Sequence, residues 1–267
     1  MPDLPDSRTN HDSSLLNGEP TVCGGDRTLK SCLRLNIQNN AWEPSFQTRG
    51  YRSRHTMVSY GEGMLVLGGR WGDSVEWVHS QRAVLLEGKV PRLESSCSVL
   101  TDRQSVITTG GVSAPSQAWE FSLLSGDWTE LAAVPGGGRY QHSCTFSSHP
   151  AWHGVLLAGG SDGLNLRAEA FFYDLARQRW FVLPHLPQQR WASRMVNLNE
   201  RIFILGGGDG RNYIEEVYEF DLETAEWRQT TEGLLYPRSD FSVVVVDEEY
   251  FGCEDEDEDI YDIIDPK

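Results

Sequence analysis

Three groups of side chains in this 267-residue chain could ligate, attack or bind: seven histidines, five cysteines, and arginines interleaved with aromatics. Metal chemistry is the first to test. His149 and His153, in Ser-Ser-His-Pro-Ala-Trp-His, have a spacing that would suit one helix face, but Pro150 makes the stretch a loop. No Cys, Asp or Glu stands locally to complete a ligand set. His11, His55 and His142 recur at one position of a sequence repeat. Ligands of one ion must converge on a point, so recurrence predicts equivalent structural posts in separate units. No metal and no cofactor are expected. Nucleophilic catalysis finds no Gly-x-Ser-x-Gly elbow, and no catalytic residue is expected.

The cysteines are odd in number and include no Cys-x-x-Cys pair, so neither a full disulfide framework nor a zinc ribbon is indicated. Cys97 and Cys144 fall where Met57, Met195 and Val243 stand in other units, which predicts buried thiols. Cys23 and Cys32 flank a Gly-Gly turn and could face each other across neighbouring strands. That disulfide is the competing reading, and it requires an oxidising compartment.

The elements that position these groups repeat. A short aliphatic strand ending in two glycines occurs five times, at Gly24-Gly25, Gly68-Gly69, Gly110-Gly111, Gly159-Gly160 and Gly206-Gly207. The steps between first glycines are 44, 42, 49 and 47 residues, a repeat period. Before each doublet stands an opening motif: Arg8-Thr-Asn-His11, Arg52-Ser-Arg-His55, Arg92-Leu-Glu-Ser95, Arg139-Tyr-Gln-His142, Arg190-Trp-Ala-Ser193. A sixth, Arg238-Ser-Asp-Phe241, has no doublet after it. After each doublet comes a variable loop, then a strand with Leu35, Trp77, Phe121, Tyr173 or Phe220. Seven residues further on lie Trp42, Val84, Trp128, Trp180 and Trp227. Constant spacing against variable loops predicts a fixed hairpin of third and fourth strands. Four strands per unit, none able to bury its face alone, predict radial stacking as an all-β propeller. The arginines are read as pins donating to backbone carbonyls, with an anion-binding ring as the rival.

Doublets, spaced tryptophans and Arg-x-x-His starts make the chain resemble the kelch family over about residues 8–246. The resemblance implies a kelch-type β-propeller of four-stranded blades, five full repeats plus the opening strand of a sixth. Family members usually have six or seven blades, so an incomplete six-bladed ring, prone to self-association, is the expected form. Residues 1–7 read as a short polar segment, 8–250 as the propeller and 251–267 as an acidic tail.

The net charge is −16, and eleven acidic residues from Asp247 onward against Lys267 alone leave −6 for the body. That balance argues against nucleic acid and anionic membrane as partners. No membrane span, basic leader or N-x-Ser/Thr sequon is present in the sequence, and a cytoplasmic location is expected. The alternative is a secreted fragment carrying the Cys23–Cys32 disulfide.

Loops after the doublets and turns at the opening arginines should share one end of the ring. Arginines and aromatics there have the composition of protein-binding hot spots. The candidate set is Arg70, Trp71, Tyr140, Asn165, Arg167, Trp191, Arg211, Asn212 and Tyr213. In kelch substrate receptors the same loop set holds the peptide ligand. Against this, Tyr140 and Trp191 could pack on the next blade. The resemblance implies a protein-binding module, in a ubiquitin-ligase assembly or as a cytoskeletal or signalling adaptor. The ligase role normally needs a BTB and BACK region or an F-box, which the seven residues before Arg8 cannot hold, so that reading requires the chain to be a fragment or to work beside a separate adaptor. A small-molecule or carbohydrate enzyme with a central-channel site is the alternative class.

Overall fold

The computed structural model describes residues 2–71, 74–79, 82–86 and 91–246, and every regular element among them is a β-strand. Blade one comprises β1 to β4 (Asp12–Leu16, Glu19–Cys23, Ser31–Asn36, Ala41–Gln47). Blade two comprises β5 to β8 (Thr56–Tyr60, Gly63–Leu67, Val75–His79, Arg82–Leu86). Blade three is β9 to β12 (Cys97–Leu100, Ser105–Thr109, Ala118–Ser122, Trp128–Glu130). Blade four is β13 to β16 (Ser143–Ser147, Gly154–Ala158, Ala170–Asp174, Arg179–Leu183). Blade five is β17 to β20 (Arg194–Leu198, Arg201–Leu205, Val217–Asp221, Glu226–Gln229). Each blade is an antiparallel sheet in sequence order, and the first strands β1, β5, β9, β13 and β17 neighbour one another around the axis.

Stacking is driven by apolar faces that alternate along each strand. Five clusters fill successive junctions, among them Met57, Met64 and Val66 with Leu16 between blades one and two, and Ile202 and Ile204 with Leu156 between four and five. The fifth sets Phe241 and Leu234 against Phe203, Leu205 and Val217 of blade five. Residues 241–246 therefore follow blade five as the opening of a sixth blade.

The seven-residue spacing is a cross-strand pair. Leu35↔Trp42, Trp77↔Val84, Phe121↔Trp128, Tyr173↔Trp180 and Phe220↔Trp227 stand directly opposite in the outer hairpins. The indoles also tie neighbouring blades: Trp180 Nε1 donates to Ala132 O at 2.8 Å and Trp227 Nε1 to Pro184 O at 3.0 Å.

Both glycines of each doublet are required, for different reasons. A side chain on Gly24, Gly110, Gly159 or Gly206 would collide with the carbonyl of Arg52, Arg139, Arg190 or Arg238 in the next blade. One on the second glycine would meet its own blade's opening turn, as Gly69 would meet Ser53 O at 2.8 Å. Both also hold positive φ.

The arginines pin these turns. Nη1 of Arg8, Arg52, Arg139 and Arg190 donates to the carbonyl of Gly24, Gly68, Gly159 and Gly206 respectively. Blade three departs from the expected register. Leu93, not Arg92, takes the pinning position: its carbonyl accepts from Gly69 N, as Arg52 O does from Gly25 N, and its side chain is buried in the core. The one-residue shift moves Cys97 out of the core slot of Met57 and into the position of Thr56, at the start of an innermost strand.

The buried-thiol reading of Cys97 and Cys144 is corrected accordingly: the two form a disulfide joining innermost strands of blades three and four. Cys23 and Cys32 also form a disulfide, because β2 and β3 set them directly opposite. Cys253, Asp73 and the acidic tail lie outside the described residues.

Candidate functional site

One end of the propeller gathers the opening turns and the post-doublet loops. At its centre the third residue of each opening turn, always at positive φ, passes a backbone hydrogen bond to the next blade. Arg54 N donates to Asn10 O, Ser95 N to Arg54 O, Gln141 N to Ser95 O, Ala192 N to Gln141 O and Asp240 N to Ala192 O. Six residues of six different types thus line the mouth of the axis.

Their identities give no motif, so the sequence reading missed them; only their constant place in the opening motif could have marked them. Asp240 accepts from Gln141 Nε2 at 2.9 Å, and Asp12 of β1 meets Arg194 of β17 at 3.7 Å. Burial pushes both carboxyls above the usual carboxylate range, with Arg194 opposing the shift in each. The recurring histidines His11, His55 and His142 are buried at equivalent places in their blades. His142 Nε2 sits 2.8 Å from Thr109 Oγ1 of the preceding blade, and burial lowers the pKa of His11 and His142 to about 3. No group of three His, Cys, Asp or Glu able to hold a metal ion occurs among the described residues.

Around this mouth the nine candidates divide. Tyr140 and Trp191 are half-buried and pair with their own blade's loop rather than the next blade. Tyr140 exchanges backbone bonds with Ser161, and Trp191 with Gly208. The Trp191 indole covers Gly208, where a side chain would come within 2.8 Å of Nε1.

Arg167 is held by Asp162 at 2.6 Å and Glu169 at 3.2 Å. Asn165 and Asn212 close identical turns in Asp-Gly-x-Asn sequences. Asp162 Oδ1 accepts from Leu164 N and Asn165 N, and Asp209 Oδ1 from Arg211 N and Asn212 N, all at 2.7–2.8 Å. Those backbone donors hold both carboxyls below their ordinary range. The two loops touch, since a side chain on Gly210 would come within 3.2 Å of Leu166.

The exposed candidates are Arg70, Trp71 (55% exposed), Asn165, Arg211, Asn212 and Tyr213 (65% exposed), the two asparagines with their backbone amides held by the turn. Arg70 Cζ lies 5.2 Å from the Trp71 ring centroid, and Arg70 N donates to Ser53 O. Tyr51 and Tyr236, also exposed, flank the opening arginines Arg52 and Arg238 at the same end.

Residues 193–232, which are blade five with its flanking turns, match the Kelch motif family. The chain is also 35% identical over 71 residues to the F-box/kelch-repeat protein At1g15670 of Arabidopsis thaliana. The chain is a β-propeller that carries a Kelch motif in blade five. The matched stretch is 26% of this chain and 19% of the Arabidopsis protein, so the two share repeats and not a whole architecture. Among solved structures, one titled "Structure of YjhT" superposes with a TM-score of 0.78, covering 91% of this chain and 89% of that chain. At 13% identity that likeness concerns the fold alone. No helix among the described residues is long and apolar enough to cross a membrane.

Proposed function

We propose that this propeller binds a partner protein through the doublet-end loops. The observation that supports it is the exposure of Trp71 and Tyr213 beside Arg70 and Arg211, on turns whose backbone is fixed. Large aromatics held at low entropy cost, next to planar cations, are the side chains that dominate protein interfaces. A central-channel enzyme finds less support, because the Asp12–Arg194 and Gln141–Asp240 contacts already occupy the axial mouth.

Kelch repeats accompany an F-box in the Arabidopsis relative's description, and recognition of a substrate in a ubiquitin-ligase assembly is the form of the function we favour. A cytoskeletal or signalling adaptor would use the same face. The test is affinity capture with wild type and the Trp71→Ala/Arg211→Ala double variant, with melting temperatures measured in parallel. A set of proteins lost from the variant at unchanged melting temperature supports the reading, and a ligase subunit in that set supports its finer form. An identical captured set, or a fall in stability of several kcal/mol, which marks buried structural residues, refutes it.

A further inference from the structure

The doublet end is unevenly charged. In blade four Arg167 is neutralised by Asp162 and Glu169, and in blade five Arg211 follows Asp209 on one tight turn. At the junction of blades one and two the pattern reverses. Exposed Arg27, half-buried Lys30, exposed Arg49 and exposed Arg70 gather there, and none of them forms an ion pair among the described residues. The one carboxylate in residues 24–31, 47–55 and 68–71 is Asp26, and it already accepts hydrogen bonds from Asn10 Nδ2 and Ser53 Oγ.

Two of the cations lie on exposed aromatic rings: Lys30 Nζ is 4.8 Å from the Tyr51 centroid and Arg70 Cζ 5.2 Å from that of Trp71. Arg49 Nε is tied to Ala83 O. The patch is continuous, because Arg52 N bonds Leu29 O and Arg70 N bonds Ser53 O. Cations held in fixed places without counter-charge, on a chain of net charge −16, form a site for an extended acidic segment.

The chain carries such a segment. Residues 254–259 read Glu-Asp-Glu-Asp-Glu-Asp, beginning eight residues beyond Val246. In blades one, two and five the first doublet glycine follows the start of the innermost strand by twelve residues, from Asp12 to Gly24, Thr56 to Gly68 and Arg194 to Gly206. Twelve residues from Ser242, the matching position of the sixth opening, is Glu254. Six extended residues reach on the order of 20 Å, more than the ~14 Å across a four-stranded sheet.

We propose that residues 254–259 dock in cis on the basic and aromatic junction of blades one and two. The inference does not depend on a partner protein. An intramolecular segment competes at an effective concentration near the millimolar range, enough to mask a weak electrostatic site.

Two measurements on the full chain test it. The first is binding of a labelled Glu-Asp-Glu-Asp-Glu-Asp peptide to three proteins: wild type, a variant with all six acids of 254–259 changed to Gln or Asn, and that variant with Arg27→Glu and Arg70→Glu. The neutralised chain should bind the peptide at least about tenfold more tightly than wild type, weakening with salt, and the charge reversals should abolish binding. Equal binding by wild type and the neutralised chain, or no binding by either, overturns the proposal.

The second is carbodiimide crosslinking of the monomer. The chain has only three lysines, Lys30, Lys89 and Lys267. A Lys30 link to the 254–259 carboxylates, lost in high salt, is expected; links from Lys89 at equal yield, or none from Lys30, overturn it. Mixing isotope-labelled and unlabelled chains identifies links between molecules, which count against docking in cis. Neither measurement involves a partner protein, so failure here leaves the partner-binding reading standing.

Discussion

Arg52→Leu separates the pinning role of the opening arginine from its charge. Arg52 and Glu76 are both wholly buried, Nη2 to Oε1 at 2.5 Å, and Glu76 also accepts from Arg49 N and Gly50 N at 2.8 Å each. Arg52 further donates to Gly68 O, Ser74 O and Ser74 Oγ. Removing the guanidinium leaves Glu76 buried with two amide donors and no counter-charge. Breaking a buried pair in this way costs about 3–5 kcal/mol.

Arg190 is the matched control. It is equally buried and donates to Gly206 O and Glu216 O, but has no carboxylate within hydrogen-bond reach, and its Nη2 lacks a partner. Arg190→Leu loses hydrogen bonds worth about 1.5–3 kcal/mol and also removes a desolvated cation, which offsets part of the loss. Leucine fits the position, since blade three already has Leu93 there, 1% exposed.

The expected order is therefore Arg52→Leu worse than Arg190→Leu by about 2 kcal/mol in urea unfolding at unchanged m. Adding Glu76→Gln to Arg52→Leu should recover part of the difference. Because Glu76 holds the Arg49 and Gly50 amides, exchange at those two amides should quicken first. Equal losses in the two single variants, or a double variant no more stable than Arg52→Leu, would refute the argument.

Two further outcomes follow from the buried groups. Burial raises the Asp12 carboxyl, so its contribution to stability is fully present below the unfolded carboxylate range and is lost as pH rises through the folded value. Asp12→Asn should therefore gain stability relative to wild type between pH 4 and pH 7, seen as a shift between their urea midpoints; a constant difference would contradict the burial. Mass spectrometry after alkylation without reductant should find two disulfides and one free cysteine, Cys253, and Cys97→Ser should cost about 2–5 kcal/mol. Alkylation of all five thiols would refute both bridges.

The repeat was legible because its parts meet the same neighbours in every blade. A seven-residue interval survives only if it is a register, and Phe121↔Trp128, Tyr173↔Trp180 and Phe220↔Trp227 are that register. Glycine doublets survive because two different segments, the next blade's opening turn and their own, crowd them. The blade-three error has the same root: where the pin is Leu93, a neighbouring Arg92 imitates the motif, and residue type misleads by one position. Alternation then carries Cys97 to the wrong face.

The candidate face was legible as a location but not residue by residue. Nothing in Tyr140 or Trp191 separates a loop cover from a contact residue. For these two loops a signal existed, the Asp-Gly-x-Asn repeated at 162–165 and 209–212, in which the Asp carboxylate accepts from the Asn backbone amide.

Those assignments change where on the doublet end recognition has to occur. Tyr140, Trp191, Arg167, Asn165 and Asn212 hold the loops of blades four and five, and a partner displacing any of them would lose the contacts they now make. The axial mouth is bridged by Asp12–Arg194 and Gln141–Asp240, so a ligand entering there must break partly buried polar contacts first. What remains is Arg70, Trp71, Arg211 and Tyr213, with Tyr51, Lys30 and Arg27 beside the first pair, all carried on backbone already fixed by doublets and pinned arginines. The rigid scaffold and the exposed side chains thus meet within a few residues of each doublet. On the proposed partner-binding reading, Trp71 and Tyr213 are the residues at which a loss of binding should separate most cleanly from a loss of fold.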